Sequence, residues 1–264
     1  MLRCALHDGL INLYRSPWNV LINLPGSPGD YRAAGEKLAA RAGGLFLFMP
    51  AAAQNSAFPA QSFYVRRGKR WLDVAGALAL LPPALPLLAL GALLAAAQNR
   101  GPCLFRQPRP GLGGRLFTLY KLQTMTMARD PATGQLLPDA QRLPRLGRWL
   151  RATSLDELPQ LWNILRGDLS LVGPRPLLPQ YLPLYSPAQA RRHLVRPGLT
   201  GWAQVNGRNA IAWEEKFAFD TWYIDHLSLA LDLKILWRTA GRVLGGAGVA
   251  APGQATTEAF RGPA

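Results

Sequence analysis

Residues 74–97 form a run of 24 uncharged residues with Pro82, Pro83 and Pro86 in its middle. A straight helix of that length would reach about 36 Å, enough to cross a bilayer. Each proline removes a backbone donor and crowds the preceding turn. The halves free of proline, 74–81 and 87–97, are each too short to span. Basic residues flank both ends: Arg66, Arg67, Lys69 and Arg70 before it, and Arg100, Arg106, Arg109 and Arg115 after it. Positive charge beside a membrane segment favours the cytoplasmic side, here for both ends. The expectation over 66–100 is a re-entrant helix–break–helix, broken at Pro82 and Pro83, that dips into one leaflet. A kinked spanning helix and a buried soluble helix are the alternatives.

The 264 residues carry 30 Lys and Arg against 15 Asp and Glu, a net charge of +15, which points to an anionic partner. Residues 1–65 contribute five basic and three acidic residues; 66–264 contribute 25 and 12, so the charge lies in the second part. Two cysteines, Cys4 and Cys103, exclude a disulfide scaffold and a four-cysteine zinc site. Three scattered histidines, His7, His193 and His226, argue against a histidine metal cluster. Residues 1–65 show no sustained period and read as a poorly ordered extension without a signal peptide, or as sequence ahead of a natural start near Val65. Residues 101–264 read as a cytoplasmic catalytic domain.

That domain is expected to be mainly α with a few short strands, an α+β fold, because long period-2 runs are scarce. Arg142, Arg145, Arg148 and Arg151 alternate with Leu143, Leu146, Trp149 and Leu150, the pattern of a basic amphipathic helix at a membrane interface. Ser154 with Glu157 three residues on has the capping-box spacing, so a helix over 155–165 is expected to bury Leu158, Leu161, Trp162 and Leu165. Further helical stretches are read at 187–194, 211–225 and 230–244.

Asp156 and Glu157 would then lie in a first helical turn, where acids complement the helix dipole. Nearby Arg151, Arg175 and Arg196 change the weighing. A carboxylate among guanidiniums is kept ionised and is poised for phosphates. Adjacent oxygen ligands also suit Mg²⁺, which prefers one or two carboxylates plus substrate phosphates. An ionised Asp can attack a phosphoryl group as a nucleophile. Trp202, Trp213 and Trp222 suit core packing or interface anchoring better than uracil stacking. Gln204, Asn206 and Arg208 could contact nucleotide or sugar, although Asn206-Gly207 is also an ordinary turn pair. Asp73 beside Arg70 suggests an ion pair.

The string SLDELPQLWNILRGDLSLVGPRP resembles the signature of the bacterial sugar transferases. These are monotopic phosphoglycosyl transferases that load a sugar-1-phosphate onto a polyprenol phosphate. The resemblance runs from about Lys69 to Phe260 and includes KRWLD, RPGLGGRLFTLYKLQTM and RPGLTGWAQVNGRNAIAWEEKF. It implies Asp156 as nucleophile, with UMP expelled from a UDP-sugar and a sugar-phosphoryl aspartate resolved by undecaprenyl phosphate. It implies Glu157 as the partner for Mg²⁺ or proton handling, Arg151 and Arg175 as active-site arginines, and Lys121 as the family's YK lysine. Arg196, Gln204 and Arg208 complete the expected substrate contacts. Membrane lipid is the remaining partner, at the cytoplasmic face of the bacterial inner membrane; no nucleic acid is expected, and homo-oligomerisation is open. The tail and the AQVNGRNAIAWEEKF stretch resemble the bacillosamine-type subgroup, which implies a UDP-acetamido sugar. The chain departs from the family in having Pro82-Pro83 for the usual Ser-Pro and Gln123 for a second basic residue. A non-catalytic basic protein of the membrane surface is the rival reading.

Overall fold

The computed structural model describes residues 62–99, 102–207, 211–244 and 259–262. The expectations for residues 1–61, Arg100 and Arg208 lie outside them. Within them the fold is mainly helical with a few short strands, as the scarcity of period-2 runs implies.

A π-helical turn, Tyr64–Gly68, leads into α1, Lys69–Asn99. The expected break is not present: Pro82, Pro83 and Pro86 all lie inside one uninterrupted helix. The proline φ suits a helix; what is lost is the N–H bond at each of the three positions. Tertiary packing holds the helix instead. Asp73, Ala77, Ala84, Gly91 and Ala95 recur at helical spacing and form its buried face. The face is made of small residues because the domain approaches closely: a Cβ on Gly91 would come within 2.8 Å of the Leu122 side chain. The rest of the helix circumference exposes Leu78, Leu80, Leu85, Leu87, Leu90 and Leu93.

Both ends of α1 are tied to the same folded unit. Near its start, Lys69 Nζ donates to Asp232 Oδ2 at 2.6 Å, and Tyr64 and Tyr223 hydroxyls bond the same carboxylate. Asp73 Oδ1 accepts from the Ser170 hydroxyl and the Leu171 amide, both at 2.8 Å. Arg70 donates to the carbonyls of Ile164 and Leu165 at 2.5 and 2.8 Å, so the expected Arg70–Asp73 pair does not form. Each side chain finds a stronger demand elsewhere: a helix C-terminus for the guanidinium and a strand edge for the carboxylate. At the far end, Asn99 Nδ2 donates to the Gln123 carbonyl at 3.0 Å.

Strands β1, Leu104–Pro110, and β2, Leu116–Leu122, form an antiparallel hairpin that pairs Phe105 with Lys121 and Arg109 with Phe117. Helix α2, Arg145–Ala152, follows a polar loop, and α3 is Gln160–Arg166. Asn163, fully buried, binds α3 to β2 by accepting from the Tyr120 amide and donating to the Thr118 carbonyl. Strands β3, Ser170–Val172, and β4, Gly198–Thr200, pair in parallel. Helices α4, Trp202–Asn206, α5, Trp213–Asp225, and α6, Leu229–Leu244, complete the domain. The main core gathers Leu119, Leu161, Ile164, Val172, Tyr223 and Ile235 with Ala77 and Ala84 of α1.

Two surface expectations are corrected. Trp162 does not join Leu161 in the core; it is 58 % exposed. The arginine helix is shorter than read, because Leu143 is extended and Pro144 is the N-cap of α2. Arg142 stands outside α2 and bonds the carbonyl of Leu137 and the carboxylate of Asp139, whereas Arg145, Arg148 and Trp149 face outward.

Candidate active site

Asp156 and Glu157 do not sit in the first turn of an α-helix. They form a 3₁₀ turn, Leu155–Glu157, between α2 and α3. Ser154 makes no cap bond and takes φ 59°, the sole positive-φ residue other than glycine among the described residues. The capping box fails because the Glu157 side chain is engaged elsewhere. Glu157 Oε1 accepts from Lys121 Nζ at 2.7 Å and from Arg175 NH2 at 2.6 Å. A left-handed serine beside paired carboxylates is local strain at the place where chemistry is expected, held by the surrounding structure.

Each cation comes from a different element. Lys121 is on β2, and Arg175 is on the turn after β3. Arg151 ends α2, where its Nε donates to Thr124 Oγ1 at 3.0 Å. That approach depends on Gly147, one turn earlier, because a Cβ there would overlap the Thr124 carbonyl oxygen.

The two acids are electrostatically unequal. Asp156 is 7 % exposed, and no side-chain hydrogen bond reaches its carboxylate among the described residues. Burial, then repulsion from Glu157, pushes its carboxyl up to about 6 against the opposing pull of Lys121, Arg151 and Arg175. Burial pushes Glu157 up as well, but Arg175 and Lys121 outweigh it and hold that carboxyl below its ordinary range. Neighbouring carboxylates driven apart in this way can take different roles. Glu157 is the fixed anion that organises the cations. Asp156 is the group left available.

Arg109 joins the cluster, and the sequence reading had placed it only as a flanking charge. It is close enough to Arg175 and Glu157 to interact with both. Pairing of Phe105 with Lys121 puts residues 105, 107 and 109 on the lysine's face of the hairpin, a placement only the register reveals. Thr124 and Gln160 are also near the site by position; Gln160 is buried three residues after Glu157, and its Nε2 has no hydrogen-bond partner among the described residues.

Other expected residues are not brought to this cluster. Arg196 Nε donates to the Gly167 carbonyl at 2.9 Å, at the end of α3 opposite the acids, and there it caps the helix with Arg70. Gln204 lies on α4 near Gly173 and Gly201, with both amide atoms buried and unpaired. Trp202 stacks on the exposed Trp222 at 4.9 Å, and Trp213 packs with Phe217 and Phe260. His193 is buried and is pushed down to about 3 by burial and by the neighbouring Arg192 charge.

A divalent ion fits the donor set only in part. Among the described residues no group of three or more His, Cys, Asp or Glu side chains could hold a metal. The turn offers Asp156 and the Oε2 atom of Glu157, which accepts no side-chain hydrogen bond from the described residues. Two carboxylates leave most positions for water and substrate phosphate, the usual habit of Mg²⁺.

Residues 64–246 match the family described as bacterial sugar transferase. A protein named uncharacterized sugar transferase EpsL, from Bacillus subtilis, is 53% identical over 194 residues, 74% of this chain and 96% of that protein. A UDP-glucose:undecaprenyl-phosphate glucose-1-phosphate transferase from Caulobacter vibrioides is 46% identical over 185 residues, covering 67% of this chain and 69% of that one. An undecaprenyl-phosphate galactose phosphotransferase from Salmonella typhimurium is 36% identical over 192 residues, 67% of this chain and 40% of that longer one. With the match spanning α1, the acidic turn and every cation around it, this chain belongs to the bacterial sugar transferase family and is a phosphoglycosyl transferase.

Proposed function

We propose that the protein transfers a sugar-1-phosphate from a UDP-sugar to undecaprenyl phosphate in two displacements at Asp156. The observation that carries this reading is the division between the acids. Glu157 binds Lys121 and Arg175, whereas Asp156 is buried beside the same cations and accepts no side-chain hydrogen bond from the described residues. In the first step an Asp156 carboxylate oxygen attacks the sugar-bearing phosphorus. The bond from that phosphorus to the UMP oxygen breaks, and UMP leaves with the electron pair. In the second step an oxygen of the lipid phosphate attacks the same phosphorus and releases the carboxylate. The products are UMP and undecaprenyl diphosphate-sugar, the first membrane-bound intermediate of a glycoconjugate.

One phosphoanhydride is exchanged for another, so catalysis consists of alignment and charge neutralisation. Arg151, Arg175 and Lys121 supply positive charge where the diphosphate must lie. Mg²⁺ would be held by Glu157 and would neutralise charge on the phosphate oxygens as a Lewis acid. Gln204, whose buried amide lies near Gly173 two residues before Arg175, is the candidate contact on α4 for nucleotide or sugar. A UDP-acetamido sugar is the donor this reading favours, from the AQVNGRNAIAWEEKF stretch. Relatives are named for glucose, galactose and N-acetylgalactosamine, the last an acetamido sugar of the kind this reading favours.

The same reading places α1 at the cytoplasmic face of the inner membrane. Its leucine face enters one leaflet while both ends stay with the catalytic domain. The ties at Lys69, Asp73 and Asn99 support that placement, because a helix crossing the bilayer would carry one end away from the domain. The test is a UMP-release panel of UDP-sugars with Mg²⁺ and undecaprenyl phosphate, run with wild type and Asp156→Asn. UMP should form with wild type alone, and a radiolabelled sugar-phosphate should remain on wild-type protein when the lipid is withheld. Turnover by Asp156→Asn, or strict dependence of UMP release on the lipid with no adduct, would refute the mechanism. A basic membrane-surface protein without activity would release no UMP from any donor.

A further inference from the structure

Arg175 reaches Glu157 from a stretch, 173–176, that belongs to no helix or strand. Its side chain is 45 % exposed, so burial alone does not keep it on the carboxylate. The backbone, in contrast, is bonded at every residue. The Gly173 amide donates to the Thr200 carbonyl at 2.8 Å, and the Pro174 carbonyl accepts from the Gly198 amide at 3.0 Å. These two bonds extend the β3–β4 pairing. The next two carbonyls are taken by arginines from elsewhere. Arg192 NH2 donates to the Arg175 carbonyl at 2.7 Å, and Arg109 NH1 donates to the Pro176 carbonyl at 3.2 Å.

Both guanidiniums are built in. Arg192 is 4 % exposed, ion-paired to Asp220 at 2.8 Å, and lies over the Tyr185 and Phe217 rings. Arg109 uses its other arm on Gln107 Oε1 at 2.6 Å, and no carboxylate lies within ion-pair distance among the described residues. A cation placed beside Arg175 without a counter-ion is unfavourable unless it serves the site. A fork that bonds carbonyls fixes backbone, which a lysine cannot do at two acceptors in the same geometry.

We propose that Arg109 and Arg192 are positioning residues, clamping the carbonyls of Pro176 and Arg175 so that the Arg175 guanidinium stays on Glu157. This rests on the transferase reading above. Arg109 acts through Arg175, so its removal matters only while Arg175 is present. Arg109→Met should lower UMP release by about 10- to 100-fold in wild type and by less than about threefold in an Arg175→Ala background. Arg109→Lys, which keeps the charge and the fold, should lose activity in the same background-dependent way and serves if the methionine variant does not fold. Hydrogen exchange at the backbone of residues 173–178 supplies a readout that needs no activity. It should quicken in Arg109→Lys while exchange across α3 is unchanged. Equal fold-losses in both backgrounds, or unaltered exchange at 173–178, would overturn the clamp. Absence of UMP release from wild type would instead count against the transferase reading, leaving exchange to decide the clamp.

Discussion

Replacing Glu157 by glutamine should move the acid limb of the first half-reaction to lower pH. In the proposed mechanism Asp156 must be ionised to attack phosphorus, and its carboxyl is pushed up to about 6 by burial and by the neighbouring Glu157 charge. At pH 5 only about one tenth of wild-type sites would hold the ionised form. Glu157→Gln removes the repelling charge and also leaves Lys121 and Arg175 without their shared partner, so both changes favour ionised Asp156. A neighbouring like charge at an effective dielectric of about 20 is worth about 2–4 kcal/mol, or about one to three pH units. Part of that is lost as the freed cations reorganise, so the expected shift is about one to two units downward. The parameter to follow is kcat/KM for the UDP-sugar between about pH 4.5 and 8.5, which reports groups of the free enzyme. In a two-step exchange it is also blind to titration of the lipid phosphate. The absolute rate should fall, by about 10²-fold, because Arg175 and Lys121 lose their anchor. A wild-type profile flat down to pH 4.5 would refute the reasoning, as would a variant limb that stays near 6 or moves upward.

Two further outcomes follow from the same geometry. Asp156→Asn should be inactive and yet more stable at pH 7.5. The carboxyl sits near 6 folded against 3.8 unperturbed, so its ionised form opposes folding by up to about 3 kcal/mol at neutral pH. That cost fades as pH falls through 6. The melting gain of the variant should therefore shrink at pH 5, and a lower melting temperature than wild type at pH 7.5 would contradict it. Gly147→Ala should destabilise by about 1–3 kcal/mol, although alanine is the better helix former by about 1 kcal/mol. The new Cβ meets the Thr124 carbonyl, so α2 must back away and Arg151 loses Thr124. Denaturant unfolding gives the sign directly, and a stabilised variant would mean that α2 does not need this contact.

Arg151 and Arg175 are legible as basic residues flanking the acids, whereas Lys121 is reached only through the resemblance of its YK motif to the family. What periodicity could not supply was the pairing. Ser154, Asp156 and Glu157 spell a helix start, yet Glu157 has two cationic partners 36 and 18 residues away, and these outweigh one cap bond. Arg196 looked like Arg175 in sequence, an arginine beside proline and glycine. The parallel pairing of β3 with β4 sends the first to the end of α3 and the second to Glu157. Arg109 was hidden for the opposite reason: its face is set by the hairpin register, which a flanking-charge argument never consults.

The prolines carry the same lesson further. Taken locally, three of them within five residues should end a helix, at roughly 3 kcal/mol each. Here the segment is held by what it touches: a face of small residues along its length, and polar ties at Lys69, Arg70, Asp73 and Asn99. Two of those ties end on β3, through Ser170 and Leu171, and the residues that follow β3 are the turn that carries Arg175. Arg70 meanwhile grips the end of α3, whose other end follows the Asp156 turn. The helix is therefore joined by short, buried connections to both halves of the catalytic cluster. With the leucine side of α1 in the lipid, as proposed above, the height of Asp156 above it is already set. An acceptor whose phosphate stays at the membrane surface requires that fixed height, and a flexible linker between anchor and domain would not provide it.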